Sequence, residues 1–353
     1  MLKKWTMFTM AFVLSVSVLA GCGARSQESS GGNEIGNDND QQVTSEEKIV
    51  VKFSHVVAEN TPKGQAAIMF EQLAEEYTGG RVDVQVFPNS QLYNDDDVLA
   101  AVQQNNIQLA APATSKVSKL FPEWTIFDFP FAFPNVEAVQ TAMESEKIGD
   151  KLFSMLNEQN LQGLAMWDNG FKQMTLDEHP LINPEDFEGQ KFRVMSSKVL
   201  EAQFEAVNAN PTPMPFSEVY SALEQGVIDG QENTLSNIYS KKFHEVQNYM
   251  TLSNHGYLGY AVITNSDFWN GLPEDVRAGL DKAMEETTTW VRENGQRLND
   301  ENLSKIKEDN TLKDIHELSD EEKQVWMDAM DPVYDQFEEE VGKDLIDAIK
   351  ELR

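Results

Sequence analysis

Residues 49–53, with the sequence IVVKF, begin the stretch that decides the fold. This mostly apolar run, interrupted only by Lys52, predicts a buried strand, and Thr61 with Pro62 predicts the start of a helix, because proline is favoured at the first helical position. A glycine pair ends that helix, and the next segment, VDVQV, alternates as a half-buried strand does. A helix over 95–104 and an apolar strand over 107–111 complete the order β-α-β-α-β. This order predicts an α/β fold with a mostly parallel, helix-covered sheet.

The rest of the chain continues the alternation of strands and helices. An aromatic run over 124–133 is predicted to be an extended segment that feeds the core, with an aromatic binding box as the alternative. Further strands are predicted over 161–167, 191–194 and 257–264. Shorter helices are predicted over 135–157, from the end of the strand at 191–194 to about 207, and over 217–225. Two long helices are predicted at about 273–306 and 319–352, separated by a polar stretch near Asn310.

The first twenty-two residues have the layout of a secretory signal peptide. Lys3 and Lys4 precede an apolar run over 7–20, which ends in small residues before Cys22. The run is about fourteen residues long, whereas a helix that crosses the hydrocarbon core needs roughly twenty. We therefore predict a cleaved signal over 1–22. The residues LAGC at 19–22 resemble the lipobox of bacterial lipoproteins, which implies that Cys22 is acylated and anchors the chain to the outer face of a membrane. An incidental thiol at an ordinary cleavage site is the alternative.

Composition limits what can follow this signal. Residues 23–47 are rich in small and polar residues and cannot bury enough apolar surface to fold, so we predict a disordered tether. Roughly 330 residues remain after the signal, which favours two domains. Cys22 is the only cysteine, so the mature chain forms no internal disulfide. The net charge of −31 argues against nucleic acid and against adsorption to anionic lipid.

The usual motifs of enzymes and cofactor sites are missing from the sequence. It contains no HExxH, no GxSxG, no Walker loop and no GxGxxG after a strand, and its five histidines lack ligand spacing. We therefore expect no cofactor, no metal and no enzymatic activity. A secreted hydrolase stays as the least favoured alternative.

Arg193 is the residue that strand alternation singles out. In the strand KFRV, Phe192 and Val194 point to one face and Arg193 points to the other, away from the core. One interpretation is a solvated arginine on an edge strand. The other is a guanidinium that holds a carboxylate by two parallel charged hydrogen bonds, which lysine cannot reproduce.

Three further residues have both a functional and a structural interpretation. Lys172 follows a predicted strand, where it is either an exposed loop lysine or a second positive charge for a ligand. Phe216 either packs in the core or covers a ligand. Asn233 either donates an amide hydrogen bond to a ligand oxygen or caps the next segment.

Longer stretches resemble the solute receptors of tripartite ATP-independent periplasmic (TRAP) transporters, the dicarboxylate-receptor or DctP family. The resemblance extends from residue 49 to the C-terminus. It is carried most specifically by DFEGQKFRV at 186–194, PMPFSEVYSAL at 213–223 and VIDGQEN at 227–233, and also by FPNSQL at 87–92 and LFPE at 120–123. It implies a two-lobed, periplasmic-binding-protein-like α/β fold with mixed sheets, a ligand cleft between the lobes and a long helix that spans both.

The resemblance also implies roles for individual residues. Arg193 occupies the position of the family's carboxylate-binding arginine, Phe216 that of its cleft aromatic, and Asn233 that of its ligand-contacting asparagine. Lys172 stands where the family often has a second arginine, in an Asn-Gly-Phe-Arg pattern, so the charge is kept and the fork is lost.

Two weaker ligand contacts are implied where the chain enters and re-enters the cleft, at His55 and Tyr257. The two lobes are predicted to comprise residues 48–170 plus 259–298 for lobe I, and residues 171–258 plus 299–353 for lobe II.

The implied function is capture of a small organic carboxylate, which the receptor delivers to the small and large membrane subunits of an ion-coupled transporter. A C4-dicarboxylate is the favoured ligand, and keto acids, sugar acids and aromatic acids stay open because one carboxylate site does not define the rest of a molecule. A receptor for an ATP-driven importer or for a sensor kinase is the main alternative. The lipidated Cys22 predicts an extracytoplasmic location on the membrane of a Gram-positive bacterium.

Overall fold

A computed structural model describes residues 48–353, and their strands form one mixed sheet in the order β2-β1-β3-β8-β4-β7-β5-β6, with β9 paired to β8. The signal peptide, Cys22 and the tether predicted over 23–47 lie outside the described residues. The strands are β1 (Ile49–Ser54), β2 (Val82–Phe87), β3 (Leu109–Ala110), β4 (Leu161–Leu176), β5 (Lys191–Val194), β6 (Asn210–Pro213), β7 (Gly230–Thr234), β8 (Tyr249–Asn265) and β9 (Asp314–Glu317).

Helices cover this sheet on both faces. The α-helices are α1 (Pro62–Tyr77), α2 (Val98–Gln103), α3 (Thr114–Val117), α4 (Val136–Met143), α5 (Lys151–Leu156), α6 (Lys198–Glu205), α7 (Val219–Glu224), α8 (Leu235–Ser240), α9 (Ser266–Gly271), α10 (Glu274–Asp309), α11 (Asp320–Met330), α12 (Pro332–Gln336), α13 (Glu338–Val341) and α14 (Lys343–Lys350). Within residues 48–353, none of them combines the length and the apolar character that a membrane crossing requires.

The amino-terminal part of the sheet has the predicted parallel arrangement. Strand β1 pairs in parallel with β2 on one side and with β3 on the other, as the order β-α-β-α-β requires. Strand β3 then pairs antiparallel with the end of β8. We call the part of the sheet around β1, β2 and β3 the first half, and the part around β5, β6 and β7 the second half.

Two long strands join these halves. Strand β4 has 16 residues and β8 has 17, so both extend well beyond the segments predicted for them. They pair antiparallel from Leu161 opposite Asn265 to Leu176 opposite Tyr249, with a register shift between Asp168 and Gly170. The predicted lobe boundaries at 170/171 and 258/259 therefore fall inside β4 and β8, close to this irregularity.

Helix α10 agrees closely with the first long helix predicted from the sequence. Its 36 residues span about 54 Å, and they pack against α1 at one end and α8 near the other. The helix ends at Asn310, which has a left-handed backbone with φ of 50°, as a helix C-terminus often does.

The prediction of a second long helix over 319–352 is wrong. The chain forms the four shorter helices α11 to α14, because Pro332 has no N–H to continue α11 and Gly342 has a positive φ of 98°. The last of these helices pack against the first half: the Tyr334 hydroxyl donates to the Pro130 carbonyl at 2.9 Å, and its ring stacks on Phe129. Trp326 of α11 instead packs on Phe187, which precedes β5, so the placement of 299–353 in lobe II stays a prediction.

Two other segments differ from the prediction. The aromatic run over 124–133 is not extended, because Pro122–Phe127 forms a 3-10 helix. Its side chains Trp124, Phe127 and Phe129 are fully buried, so they contribute to the core as expected. The helix predicted over 135–157 is interrupted by a π-helical turn at Glu146–Asp150.

Candidate ligand-binding site

A cavity of about 440 Å³, including the part open to solvent, lies between the two halves of the sheet. Both halves contribute to its wall, as the family's cleft requires. Among the lining residues are Val57, Ser90 and Lys116 from the first half and Arg193, Phe216 and Asn233 from the second. The structure therefore brings together three of the residues that the sequence singled out.

Arg193 lies in the wall of this cavity with only 2% of its surface exposed. Strand β5 is flanked by β6 and β7, so the interpretation of Arg193 as a solvated arginine on an edge strand is wrong. Its Nε and Nη2 atoms both donate to the Met214 carbonyl, at 3.1 and 2.9 Å. Three of the five guanidinium N–H groups stay free for a ligand. No carboxylate in residues 48–353 lies within ion-pair distance of Arg193.

Burial lowers the pKa of Arg193 to about 10, although Glu232 and the aspartates Asp95 and Asp96 act in the opposite direction. Arg193 is therefore protonated at neutral pH. A buried positive charge without a paired carboxylate is costly, and an anionic ligand would compensate it.

Phe216 and Asn233 flank this guanidinium. The Phe216 ring centroid lies 5.9 Å from Cζ of Arg193 and 5.4 Å from Nζ of Lys241. The Asn233 side-chain oxygen accepts hydrogen bonds from Asn237 Nδ2 at 2.8 Å and from the Thr234 backbone at 3.1 Å. These bonds fix the orientation of the amide and leave its NH2 group to donate.

Lys172 is fully buried, so its interpretation as an exposed loop lysine is wrong. It is not one of the residues that line the cavity. Its Nζ pairs with Glu232 Oε1 at 2.7 Å, and Glu232 Oε2 is 2.8 Å from Nε2 of His255, whose Nδ1 meets Ser253 Oγ at 2.7 Å. Burial raises the pKa of Glu232, but Lys172 and His255 outweigh burial and bring this pKa to about 2. The charge of Lys172 is therefore matched inside the protein.

Tyr257 lies on the face of β8 that points away from the cavity. Its hydroxyl donates to Asp168, and its ring packs against Phe171. Leu258 and Tyr260, on the opposite face, line the cavity instead. The alternation of side chains along a strand separates positions 257 and 260, so this signal could have directed the sequence analysis to Tyr260.

His55 directly precedes two lining residues, Val56 and Val57, but is not itself in the wall. Its ring is buried, and neither ring nitrogen makes a hydrogen bond of good geometry in the described part of the chain, although the Val57 backbone lies near enough to raise the pKa of the ring. Burial, followed by the charge of Lys63, lowers the pKa of His55 to about 3. The imidazole is therefore neutral at pH 7, with one N–H to donate.

Sequence reasoning missed Lys116, which joins the two halves at the cavity wall. Its Nζ lies 2.9 Å from Asp96 Oδ1 and 3.1 Å from Oγ of Ser196. Nothing in the local sequence distinguishes this lysine from a surface one, because its partners lie 20 and 80 residues away.

Comparison with known proteins agrees with this geometry. Residues 53–340 match the family described as bacterial extracellular solute-binding protein, family 7, also called DctP. The C4-dicarboxylate-binding protein DctB of Bacillus subtilis is 46% identical over 92% of this chain and 91% of its own length. The C4-dicarboxylate-binding periplasmic protein DctP of Rhodobacter capsulatus is 48% identical over 86% of this chain and 91% of its own length.

Solved structures show the same fold. A TRAP periplasmic solute-binding protein from Shewanella oneidensis, with bound succinate, matches with a TM-score of 0.84 and 43% identity, covering 86% of this chain and 99% of that one. A relative from Pseudomonas aeruginosa, with bound L-malate, matches with a TM-score of 0.79 and 36% identity, covering 82% and 99%. The predicted two-lobed receptor fold is confirmed. The chain belongs to the DctP family of extracytoplasmic solute-binding proteins, which are transport receptors and not enzymes.

Proposed function

We propose that this receptor captures a C4-dicarboxylate in the cavity around Arg193 and delivers it to an ion-coupled TRAP transporter. The observation that carries the proposal is the buried guanidinium of Arg193, which has three free N–H groups and no paired carboxylate in the described residues. The wall also contains Lys116 together with Asp95 and Asp96, and Lys116 is paired with Asp96. The unpaired guanidinium of Arg193 is therefore the group that favours a small anion.

Three of the lining residues have distinct roles in the proposed binding. Arg193 holds one carboxylate through two parallel charged hydrogen bonds, which contribute roughly 1.5–3 kcal/mol each. The free NH2 group of Asn233 donates to an oxygen of the same ligand, and the ring of Phe216 shields the ion pair from water. Exclusion of water strengthens this pair because the local dielectric constant falls.

The choice of a C4-dicarboxylate is supported by what the relatives are named for. DctB of Bacillus subtilis and DctP of Rhodobacter capsulatus are both C4-dicarboxylate-binding proteins, at 46% and 48% identity. The structures of relatives with succinate and L-malate hold ligands of the same class. More distant relatives bind galactonate and glucuronate, at 30% and 25% identity, so the class changes as identity falls.

Contacts across the cavity support capture by closure of the two lobes. Lys116 reaches Ser196 at 3.1 Å on one side, and Lys241 Nζ donates to Asn89 Oδ1 at 3.0 Å on the other. Both bonds join the first half to the second, so closure of the lobes around a ligand would add them to the binding energy. The closed surface is then available to the small and large membrane subunits of the transporter.

The anchor completes the proposal. Acylation of Cys22 would hold the receptor at the outer face of the cell membrane, and residues 23–47 would act as a spacer. A bacterium without an outer membrane needs such an anchor, since an untethered receptor would diffuse away with its cargo. We therefore propose a Gram-positive owner.

A thermal-shift screen of the mature chain tests the ligand class. Succinate, fumarate and malate are compared with keto acids, sugar acids, aromatic acids and uncharged sugars. A ligand at 100 times its Kd should stabilise the native state by about 2.7 kcal/mol, which raises the unfolding temperature by several degrees. Stabilisation by the C4-dicarboxylates supports the proposal. Stabilisation by uncharged sugars, with no effect of any dicarboxylate, would refute it.

A further inference from the structure

A second buried cation lies next to the cavity without a carboxylate partner. Lys63, in the first turn of α1, is completely buried, and no acidic side chain of residues 48–353 is within ion-pair distance of it. Its ammonium donates to the Ala111 carbonyl at 2.8 Å and lies 3.4 Å from the ring centroid of Tyr260, a residue of the cavity wall. Burial lowers the pKa of Lys63 to about 8, with Asp95 acting in the opposite direction.

His55 is the second unsatisfied group in this region. Neither ring nitrogen makes a hydrogen bond of good geometry within residues 48–353, and only the Val57 backbone lies near enough to raise the pKa of the ring. The charges of Lys63 and Lys241 both lower the pKa of this ring, after burial. The His55 carbonyl accepts from the backbone of Ser90, another wall residue, at 3.1 Å.

We propose that the second carboxylate of the bound dicarboxylate is held at the end of the cavity beside Val57 and Tyr260, where Lys63 and His55, which adjoin wall residues but are not themselves in the wall, supply a positive charge and an N–H donor. The proposal rests on the function proposed above. The second positive charge for the ligand then comes from Lys63 and not from Lys172, whose ammonium is already paired with Glu232. This arrangement also gives the buried ammonium of Lys63 a counter-charge when the ligand is bound.

A pair of four-carbon acids tests this subsite. Succinate and butyrate differ only in that a methyl group replaces the second carboxylate of succinate. The variant Lys63→Met removes the ammonium but keeps an unbranched side chain against Tyr260. Isothermal titration calorimetry should show at least a tenfold loss of affinity for succinate, about the value of one charged hydrogen bond, and little change for butyrate.

The matched control is Lys282→Met. Lys282 also lies over a tyrosine ring, 3.8 Å from that of Tyr77, but it is largely exposed and is not one of the residues that line the cavity. This variant should bind succinate like the unmodified protein. An equal loss of succinate and butyrate affinity in Lys63→Met would mean that Lys63 only supports packing, and would overturn the proposal.

A measurement on the unmodified protein covers the case in which Lys63→Met does not fold. Near pH 8 the ammonium is only partly protonated, so a bound carboxylate beside it should draw in a proton. Calorimetry in buffers of different ionisation enthalpy should therefore show proton uptake on binding succinate between pH 8 and pH 9 that is absent on binding butyrate. Equal uptake with both acids, or none with succinate across this range, would refute the subsite.

The failure of this proposal can be told apart from that of the proposed function. If the unmodified protein binds succinate and butyrate equally well, carboxylate capture stands and the second subsite is refuted. If the protein binds no C4-dicarboxylate at all, the proposed function and the subsite both fall.

Discussion

Replacing Arg193 with methionine should abolish binding while leaving the fold almost as stable as before. Methionine removes the guanidinium but fills much of its volume, so the change tests charge rather than packing. The ligand would lose two charged hydrogen bonds of about 1.5–3 kcal/mol each, which together correspond to a loss of roughly 10²- to 10⁴-fold in affinity.

The expected change in stability is small because two effects oppose each other. The pKa of Arg193 falls from 12.5 to about 10, so keeping its charge buried costs about 3 kcal/mol at neutral pH, and methionine removes this cost. The Met214 carbonyl loses the two hydrogen bonds that Arg193 donates, which costs about 1–3 kcal/mol. The free energy of unfolding without ligand should therefore change by less than about 2 kcal/mol.

Two assays together decide the outcome. Calorimetric titration with succinate measures the affinity, and thermal unfolding without ligand measures the stability. Arg297→Met, an exposed change on α10, is the control and should alter neither. A Kd for Arg193→Met within about threefold of the unmodified value would remove Arg193 from the site. A large loss of ligand-free stability would show instead that its main role is structural.

Three further changes test the surroundings of the site and the anchor. Glu232→Gln should lower the free energy of unfolding, measured in urea, by about 3–5 kcal/mol, because it leaves Lys172 buried without a counter-charge. The double variant with Lys172→Met should regain much of the lost stability. If the effects of the two single changes simply add in the double variant, the two residues do not form a pair. His55 has a folded pKa of about 3 and an unfolded value of 6.5, so its contribution to stability is complete above pH 6.5 and is lost as the pH falls towards 3. Between pH 7 and pH 4 the unmodified protein should therefore lose about 3 kcal/mol more stability than His55→Gln, and a pH-independent difference between them would refute the shifted pKa. Cys22→Ser should release a folded, succinate-binding protein into the medium, whereas retention at the membrane would show that Cys22 is not the anchor.

Some features of the site followed from local sequence because they depend on local geometry. The alternation in KFRV separates Arg193 from Phe192 and Val194, and the structure places both apolar side chains in the core and Arg193 in the cavity wall. Asn310 and Pro332 ended helices because their backbone preferences act within a few residues, although only Asn310 was used in the prediction. The same alternation would have selected Tyr260 over Tyr257.

Other features depended on partners that are distant in the chain. Lys172 looked like a free cation until the fold placed Glu232, 60 residues later, beside it. The aromatic run over 124–133 looked extended because aromatic residues favour strands, but the C-terminal helices that bury it lie about 200 residues away. The fate of a polar side chain depends on whether burial brings it a partner, and local pattern carries no information about that.

The sequence by itself therefore determined the α/β class, the family, and three residues of the cavity wall, Arg193, Phe216 and Asn233. Periodicity and motifs act over a few residues, and these features depend on nothing longer. Only the tertiary structure decided which positive charges are matched and which are not. Lys172 is matched by Glu232, whereas Arg193 and Lys63 are buried without a paired carboxylate in the described residues. This distinction arises because ion pairs form between strands and helices that only the complete fold brings together.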